Sequence, residues 1–359
     1  MLLRDIPSQR LLNQRIASSA QNAPSDVVAS LAGIQAQDYS GALWAIGLRL
    51  PDATEASIKR AIADRTIIRT WAMRGTLHFV AASDARWILE LLAPRMIAKS
   101  LSRNRQLELT GAIFARIEKI LVKALQGGRN LTRDAAYQLL ERARISTSGQ
   151  RGIHILWHLA QQRVICFGTH AEKQPTFVLL DEWLPPIKKR ESDEALPELA
   201  RRYFSSHGPA TLRDFAWWSG LKVSDAKAGL EMISPHVVQH TVGGVVYWMS
   251  RDTQATRQVA ATVNLLPSFD QFLIGYKDRS ASLEPRHADK ITPGGNGMMM
   301  QAVLNHGRVV GTWRRAFEKN TVAVTASFFA SPNKDETRAF AGAAERYSQF
   351  LGVPIKKSD

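Results

Sequence analysis

Apolar positions along the chain recur first at helical and then at alternating spacing, and this change of period happens more than once. Residues 6–19 carry Leu and Arg in a helical pattern that Asn22-Ala23-Pro24 closes. Val27, Leu31 and Ile34 follow at helical spacing, with Ser25 or Asp26 able to cap that helix. A further helix is expected over 53–63, capped by Thr54 and burying Ala56, Ile58 and Ile62. The period then drops to two. Residues 66–71 run as a strand, turn through Met73-Arg74-Gly75 and return over 76–80. Helix, helix and two-stranded ribbon is the order of a winged helix.

The order returns twice. Thr132 caps a helix over 133–143, a second helix covers 150–162, and 163–167 pairs with 175–180 across a polar loop. Residues 197–206 then lead to Thr211-Leu212-Arg213-Asp214, the spacing of a capping box. That helix ends at Gly220, Ser224 caps the next one through 233, and 237–241 pairs with 245–249 around Gly243-Gly244. Residues 82–125 read as one or two long helices, with Pro94 near a boundary and Arg95, Lys99, Arg103 and Arg105 forming a basic face. The run from Pro185 to Arg190 is a linker. Beyond about residue 258 strands are expected at 259–266, 272–276, 303–304, 308–317 and 321–329, with a turn at 318–320. A last helix over 334–352 presents Phe340, Ala344, Tyr347 and Leu351 on one face and stops at Gly352.

The expected fold class is therefore α+β. Three tandem winged-helix units occupy 1–81, 131–184 and 196–257, with a helical connector at 82–130 and a linker at 185–195. A small β-barrel or bent sheet follows over 258–332, then a terminal helix and tail at 333–359.

Composition narrows the partners. At 359 residues and 45% apolar content, the chain can bury several cores. Lys and Arg outnumber Asp and Glu by 47 to 32, a formal net charge of +15. Such a surface attracts polyanions, and nucleic acid is the expected partner. A membrane is not expected, because the basic residues are spread along the chain and not gathered on one amphipathic helix. Cys166 stands alone, which excludes an internal disulfide or a cysteine metal cluster. No long apolar run or signal-peptide pattern is present at the start, so a cytoplasmic monomer without a cofactor is expected.

The candidate chemistry lies in Gln35-Ala36-Gln37-Asp38. Side chains two apart on a helix diverge, so for Gln35 and Gln37 to meet one ligand the helix must hand over to extended chain near them. Asp38, Ser40 and Gly41 are the residues placed to end it. Arg69-Thr70-Trp71-Ala72-Met73-Arg74-Gly75-Thr76-Leu77-His78 follows at a short distance. Gln-x-Gln followed by Trp-x-Met-Arg-Gly-Thr-Leu-His resembles the AlkZ-type DNA glycosylases of the winged-helix superfamily. Further matches are Leu265-Leu266-Pro267-Ser268-Phe269-Asp270, Gly275-Tyr276-Lys277-Asp278-Arg279 and the stretch from Gly307 to Arg315.

The resemblance implies removal of N7-alkylated guanines and unhooking of interstrand crosslinks in double-stranded DNA, with Gln35 and Gln37 as the catalytic pair. An N7-alkylated purine is already cationic and leaves as a neutral base. What remains to be catalysed is placing a water and stabilising an oxocarbenium-like sugar. Glutamine cannot deprotonate that water, but its carbonyl can accept from it while its amide donates to a sugar or phosphate oxygen. A related branch carries an acid at the second glutamine. Here Asp38 comes one place later, as an assisting base or, the favoured reading, as a helix-end cap.

No lysine neighbours the glutamines, which favours a monofunctional enzyme. Arg74 at the ribbon turn is the best candidate DNA contact, whereas Arg69 and His78 suit DNA or internal hydrogen bonds equally. Of Arg314 and Arg315, one faces outward and one inward, and one at least contacts phosphate. A non-enzymatic winged-helix DNA binder or regulator remains the alternative. His154 and His158 lack a third ligand and read as packed or surface residues, Gly294-Gly295-Asn296-Gly297 as a loop, and Trp217-Trp218 and Met298-Met299-Met300 as packing.

Overall fold

The computed structural model describes residues 2–17, 23–172, 174–185, 192–253, 263–295 and 297–356. Helix α1 (Asp5–Asn13) leads into α2 (Pro24–Ser30), β1 (Ile34–Gln35), α3 (Tyr39–Gly47), α4 (Glu55–Ala63) and the ribbon β2 (Ile67–Trp71) and β3 (Leu77–Ala81). After the long α5 (Ala82–Gln106), the succession helix, short strand, two helices and ribbon repeats. It runs through α6 (Gly111–Leu125), β4 (Leu131–Thr132), α7 (Arg133–Arg142), α8 (Arg151–Gln161), β5 (Ile165–Ala171) and β6 (Gln174–Leu179). A short α9 (Leu180–Trp183) follows. A third pass comprises α10 (Ser192–Ser206), α11 (Leu212–Ser219), α12 (Val223–Met232), β7 (Val237–Val242) and β8 (Val245–Ser250), with a bridge from Ala210 to Trp248 where the short strand stood before.

The chain continues through β9 (Val263–Leu266), α13 (Gln271–Ile274), α14 (Ala288–Ile291), β10 (Ala302–Asn305), β11 (Arg308–Glu318), β12 (Thr321–Phe328) and α15 (Lys334–Leu351). The linker at 186–190 lies outside the described residues, as do 18–19 of the opening helix and 259–262 of the expected strand.

The first two ribbons are not separate. They join edge to edge, with Arg69 of β2 paired to Phe167 of β5, in a six-stranded sheet ordered β1-β3-β2-β5-β6-β4. Ribbon β7-β8 stands apart. The C-terminal strands form an open four-stranded antiparallel sheet, β12-β11-β10-β9, bent by a bulge at Val303 and Leu304. It is not closed as a barrel would be. Its inner face shares a core with the first pass. The Trp44 indole of α3 donates to the Leu265 carbonyl at 2.7 Å, and Trp313 of β11 donates to the Leu266 carbonyl at 2.7 Å. Beneath them Arg49 grips Asp270 through two hydrogen bonds of 2.9 and 2.8 Å, and both side chains are fully buried.

Several elements differ from expectation for local reasons. Helix α1 stops at Asn13 because Arg15 takes a left-handed conformation, φ 62°. Pro94 lies inside α5 on its exposed side, where its missing N–H is cheap. The break comes later, at Glu108 with φ 52°, and Thr110 caps α6. Residues 272–276 begin a helical turn and not a strand, because the Asp270 carboxylate accepts from the Phe272 amide at 2.8 Å. Helix α12 starts at Val223 without a side-chain cap, so Ser224 lies in its first turn.

Candidate active site

The glutamine stretch is extended because its helix ends early. Helix α2 stops at Ser30, Ala32 takes φ 54° and Gly33 takes φ 130°, a backbone that only glycine adopts readily. Space demands glycine too: a Cβ at Gly33 would lie 3.1 Å from Met73 Cε and 3.3 Å from the Phe79 carbonyl oxygen. The chain can therefore press against β3, with Ile34 opposite Phe79 and Gln35 opposite His78. The Ala36 amide extends this ladder by donating to the Leu77 carbonyl at 2.7 Å. Asp38 then caps the start of α3, its carboxylate accepting from the Gly41 amide at 3.0 Å.

The two glutamines differ in exposure. Gln35 is 6% exposed, while Gln37 is open to solvent. Each side-chain oxygen already holds a protein donor. Gln35 Oε1 accepts from Arg74 Nη2 at 2.8 Å, and Gln37 Oε1 accepts from the Leu77 backbone amide at 2.8 Å. Because both partners can only donate, they fix which end of each amide is oxygen. The amide nitrogens have no partner among the described residues and are not sealed from solvent. Each side chain thus keeps amide N–H groups to donate, and each oxygen keeps a second lone pair.

Arg74 turns inward, away from the surface expected of a DNA contact. It sits at φ 55° in the turn between β2 and β3, donates to the Trp218 carbonyl as well as to Gln35, and lies 4.9 Å from the Trp217 ring centre. Burial, and then the nearby Arg279, lower its pKa to about 10, which leaves it cationic at neutral pH. Arg69 is 8% exposed and donates to the Ala36 carbonyl at 2.8 Å between the Tyr39 and Phe167 rings. It braces the glutamine strand.

His78 has no exposed surface and cannot touch a duplex. Its Nδ1 faces the Thr76 carbonyl at 2.9 Å and so carries the proton, leaving Nε2 bare and unpartnered. Burial, and then Arg74, push its pKa down to about 3. Arg314 is exposed and Arg315 is half-buried against the Tyr347 hydroxyl, the alternation that a strand imposes beside buried Trp313.

Trp218 is fully buried and Trp217 packs against the core, as their reading as packing residues expects. The Trp218 carbonyl and the Trp217 ring also secure Arg74, and no local pattern could announce contacts made 144 residues away. His158 stacks on Phe114 with ring centres 3.7 Å apart, and His154 bonds to Asn104 at 2.5 Å.

The chain is 30% identical to the interstrand DNA cross-link repair glycosylase of Streptomyces sahachiroi over 331 residues, covering 86% of this chain and 87% of that one. The fold superimposes on the solved structure of the Streptomyces sahachiroi DNA glycosylase AlkZ with a TM-score of 0.81, at 26% identity and covering 99% of each chain. The sequence profile of the AlkZ-like DNA glycosylases matches residues 28–350, with the Gln35 strand, the Arg74 turn and the buried tryptophans all inside that span. The chain belongs to the AlkZ-like DNA glycosylase family.

Proposed function

We propose that the protein is a monofunctional glycosylase that hydrolyses the N-glycosidic bond of cationic N7-alkylated purines in duplex DNA, with Gln35 and Gln37 as its catalytic residues. The observation that supports this most is that both glutamine oxygens are anchored by protein donors, so two amide groups are aimed before any ligand arrives. In the reaction the C–N bond breaks towards a base that leaves neutral, and the sugar takes up positive charge. Arg74 makes a charge-assisted bond to Gln35 and polarises its amide, which suits Gln35 to donate to a sugar or phosphate oxygen. Exposed Gln37 keeps a second lone pair on Oε1, and that lone pair orients the attacking water, which forms the new C–O bond at the sugar carbon and then releases its proton to solvent. Asp38 is a helix cap in this scheme and takes no proton.

The three repeated passes are read as winged-helix units that carry the site to DNA. The relative named for cross-link repair extends the proposed substrates to duplexes with two bases joined.

A duplex containing N7-methylguanine, followed by alkaline strand scission, tests the proposal. Gln37→Ala and Gln35→Ala are each expected to raise the barrier by about 2 to 4 kcal/mol while duplex affinity is retained. Base release at the wild-type rate in both variants would sink it.

A further inference from the structure

Beside the Arg74 turn, where α5, α8 and α11 converge, lies a cleft of about 670 Å3. Arg74, Arg95, Lys99 and Arg103 all line it, and among the described residues no carboxylate does. Arg103 is held by neutral amides, Gln106 Oε1 at 3.0 Å and Gln150 Oε1 at 2.5 Å, so its charge is oriented but not cancelled. Arg95 keeps an enclosed Nε with no partner among the described residues. Cations gathered in this way repel one another unless an anion joins them.

Trp157 and Trp217 also line the cleft. The Trp157 indole is pinned by its bond to the Gly75 carbonyl at 3.1 Å, and the Trp217 ring has the Arg74 and Arg279 guanidinium centres 4.9 and 5.5 Å from its own centre. Met96, Ile153 and Leu221 add apolar surface, and Ser100, Gln150 and His154 add neutral polar groups. Fixed cations beside immobilised aromatic faces match a phosphate with a planar base attached. The volume falls within the roughly 300 to 1,000 Å3 typical of small-ligand sites.

We propose that this cleft is a nucleotide subsite that seats one unpaired nucleotide of the bound DNA strand. Its phosphate lies among Arg95, Lys99 and Arg103, and its base lies against Trp157 and Trp217. The inference rests on DNA being the ligand of this family and not on the glutamine mechanism.

Fluorescence anisotropy with a dye-labelled oligothymidylate and, separately, a fully paired duplex tests it. Lys99→Glu and Ile153→Glu change exposed positions in the cleft, and Lys334→Glu, at an exposed position of α15, is the control, charge-matched to Lys99→Glu and carrying a larger charge change than Ile153→Glu. Each cleft variant is expected to lose about tenfold in oligothymidylate affinity, a loss several times larger than its loss for duplex. The control should lower both affinities slightly and alike. Cleft variants that weaken both ligands in the same proportion as Lys334→Glu, or that leave oligothymidylate binding unchanged, overturn the proposal. Base release from methylated duplex is a separate readout, so failure of the glutamine reading would be recognised independently.

Discussion

At the residue scale, Arg74 decides how Gln35 is held. A non-glycine residue in the left-handed region costs on the order of 1 to 3 kcal/mol, and here that conformation directs the guanidinium onto Gln35 and the Trp218 carbonyl. Arg74→Ala is therefore expected to slow base release by about tenfold or more, the loss expected when a charge-assisted bond disappears. Duplex affinity and its dependence on salt should hardly change, because the guanidinium at the wall of the cleft is committed to Gln35 and the Trp218 carbonyl; a shallower salt slope would show that Arg74 meets phosphate after all. Arg74→Lys should not restore the rate, since one ammonium cannot reproduce the planar fork that reaches both acceptors.

The buried histidines give a second test at this scale. Burial pushes His78 and His207 down to about 3, so between that pH and the ordinary value near 6.5 the unfolded chain binds protons that the folded chain refuses. Stability should be full above pH about 6.5 and fall as pH drops towards about 3, by at most about 1.4 kcal/mol per pH unit for each histidine. Urea denaturation across that range measures it, and His78→Gln should flatten the slope. The glutamine pair itself was legible through its motif. Its unequal exposure was not, because Gln35 is covered by way of an arginine whose other anchor comes from a distant helix.

At the element scale, helix starts were the most readable features. Thr54, Thr132 and Thr211 each accept from the backbone amide three residues on, as their spacing predicts. Where the reading failed, the deciding contact was tertiary or the local signal was double-edged. The short apolar run at 272–276 has no period to separate strand from helix, and Asp270 settles it as a helical turn. The Thr211 cap does more than start α11. Asp214, its partner in the capping box, also accepts from the Lys277 and Asp278 amides at 2.9 and 3.2 Å, tying the third pass to the loop after α13. Asp214→Ala should thus cost about 1 to 3 kcal/mol in chemical denaturation, because it takes the acceptor from several part-buried backbone amides at once. Thr54→Ala, at an exposed capping box, should cost about 1 kcal/mol. Equal losses would mean that Asp214 is only a cap.

At the scale of the whole molecule, the repeated order of elements was visible in the sequence, but the way the passes join was not. Pairing between β2 and β5 brings together strands from separate units, and no local pattern encodes such a register. The same holds for the Arg49–Asp270 pair, which locks α3 to the C-terminal sheet and leaves neither charge exposed. Removing one partner strands the other in a dry interior, so Asp270→Ala should destabilise the fold by about 3 to 5 kcal/mol, measurable in urea. Asp270→Asn, which keeps an acceptor, should cost less.

The shared six-stranded sheet also bears on how far this protein can be trimmed. A fragment ending after the first ribbon would carry both glutamines but leave β2 as a bare strand edge, open to stacking with its neighbours in solution. A minimal version must therefore keep the chain through β6, and even that piece would lack the hydrophobic cover that β9 to β12 lay over α3.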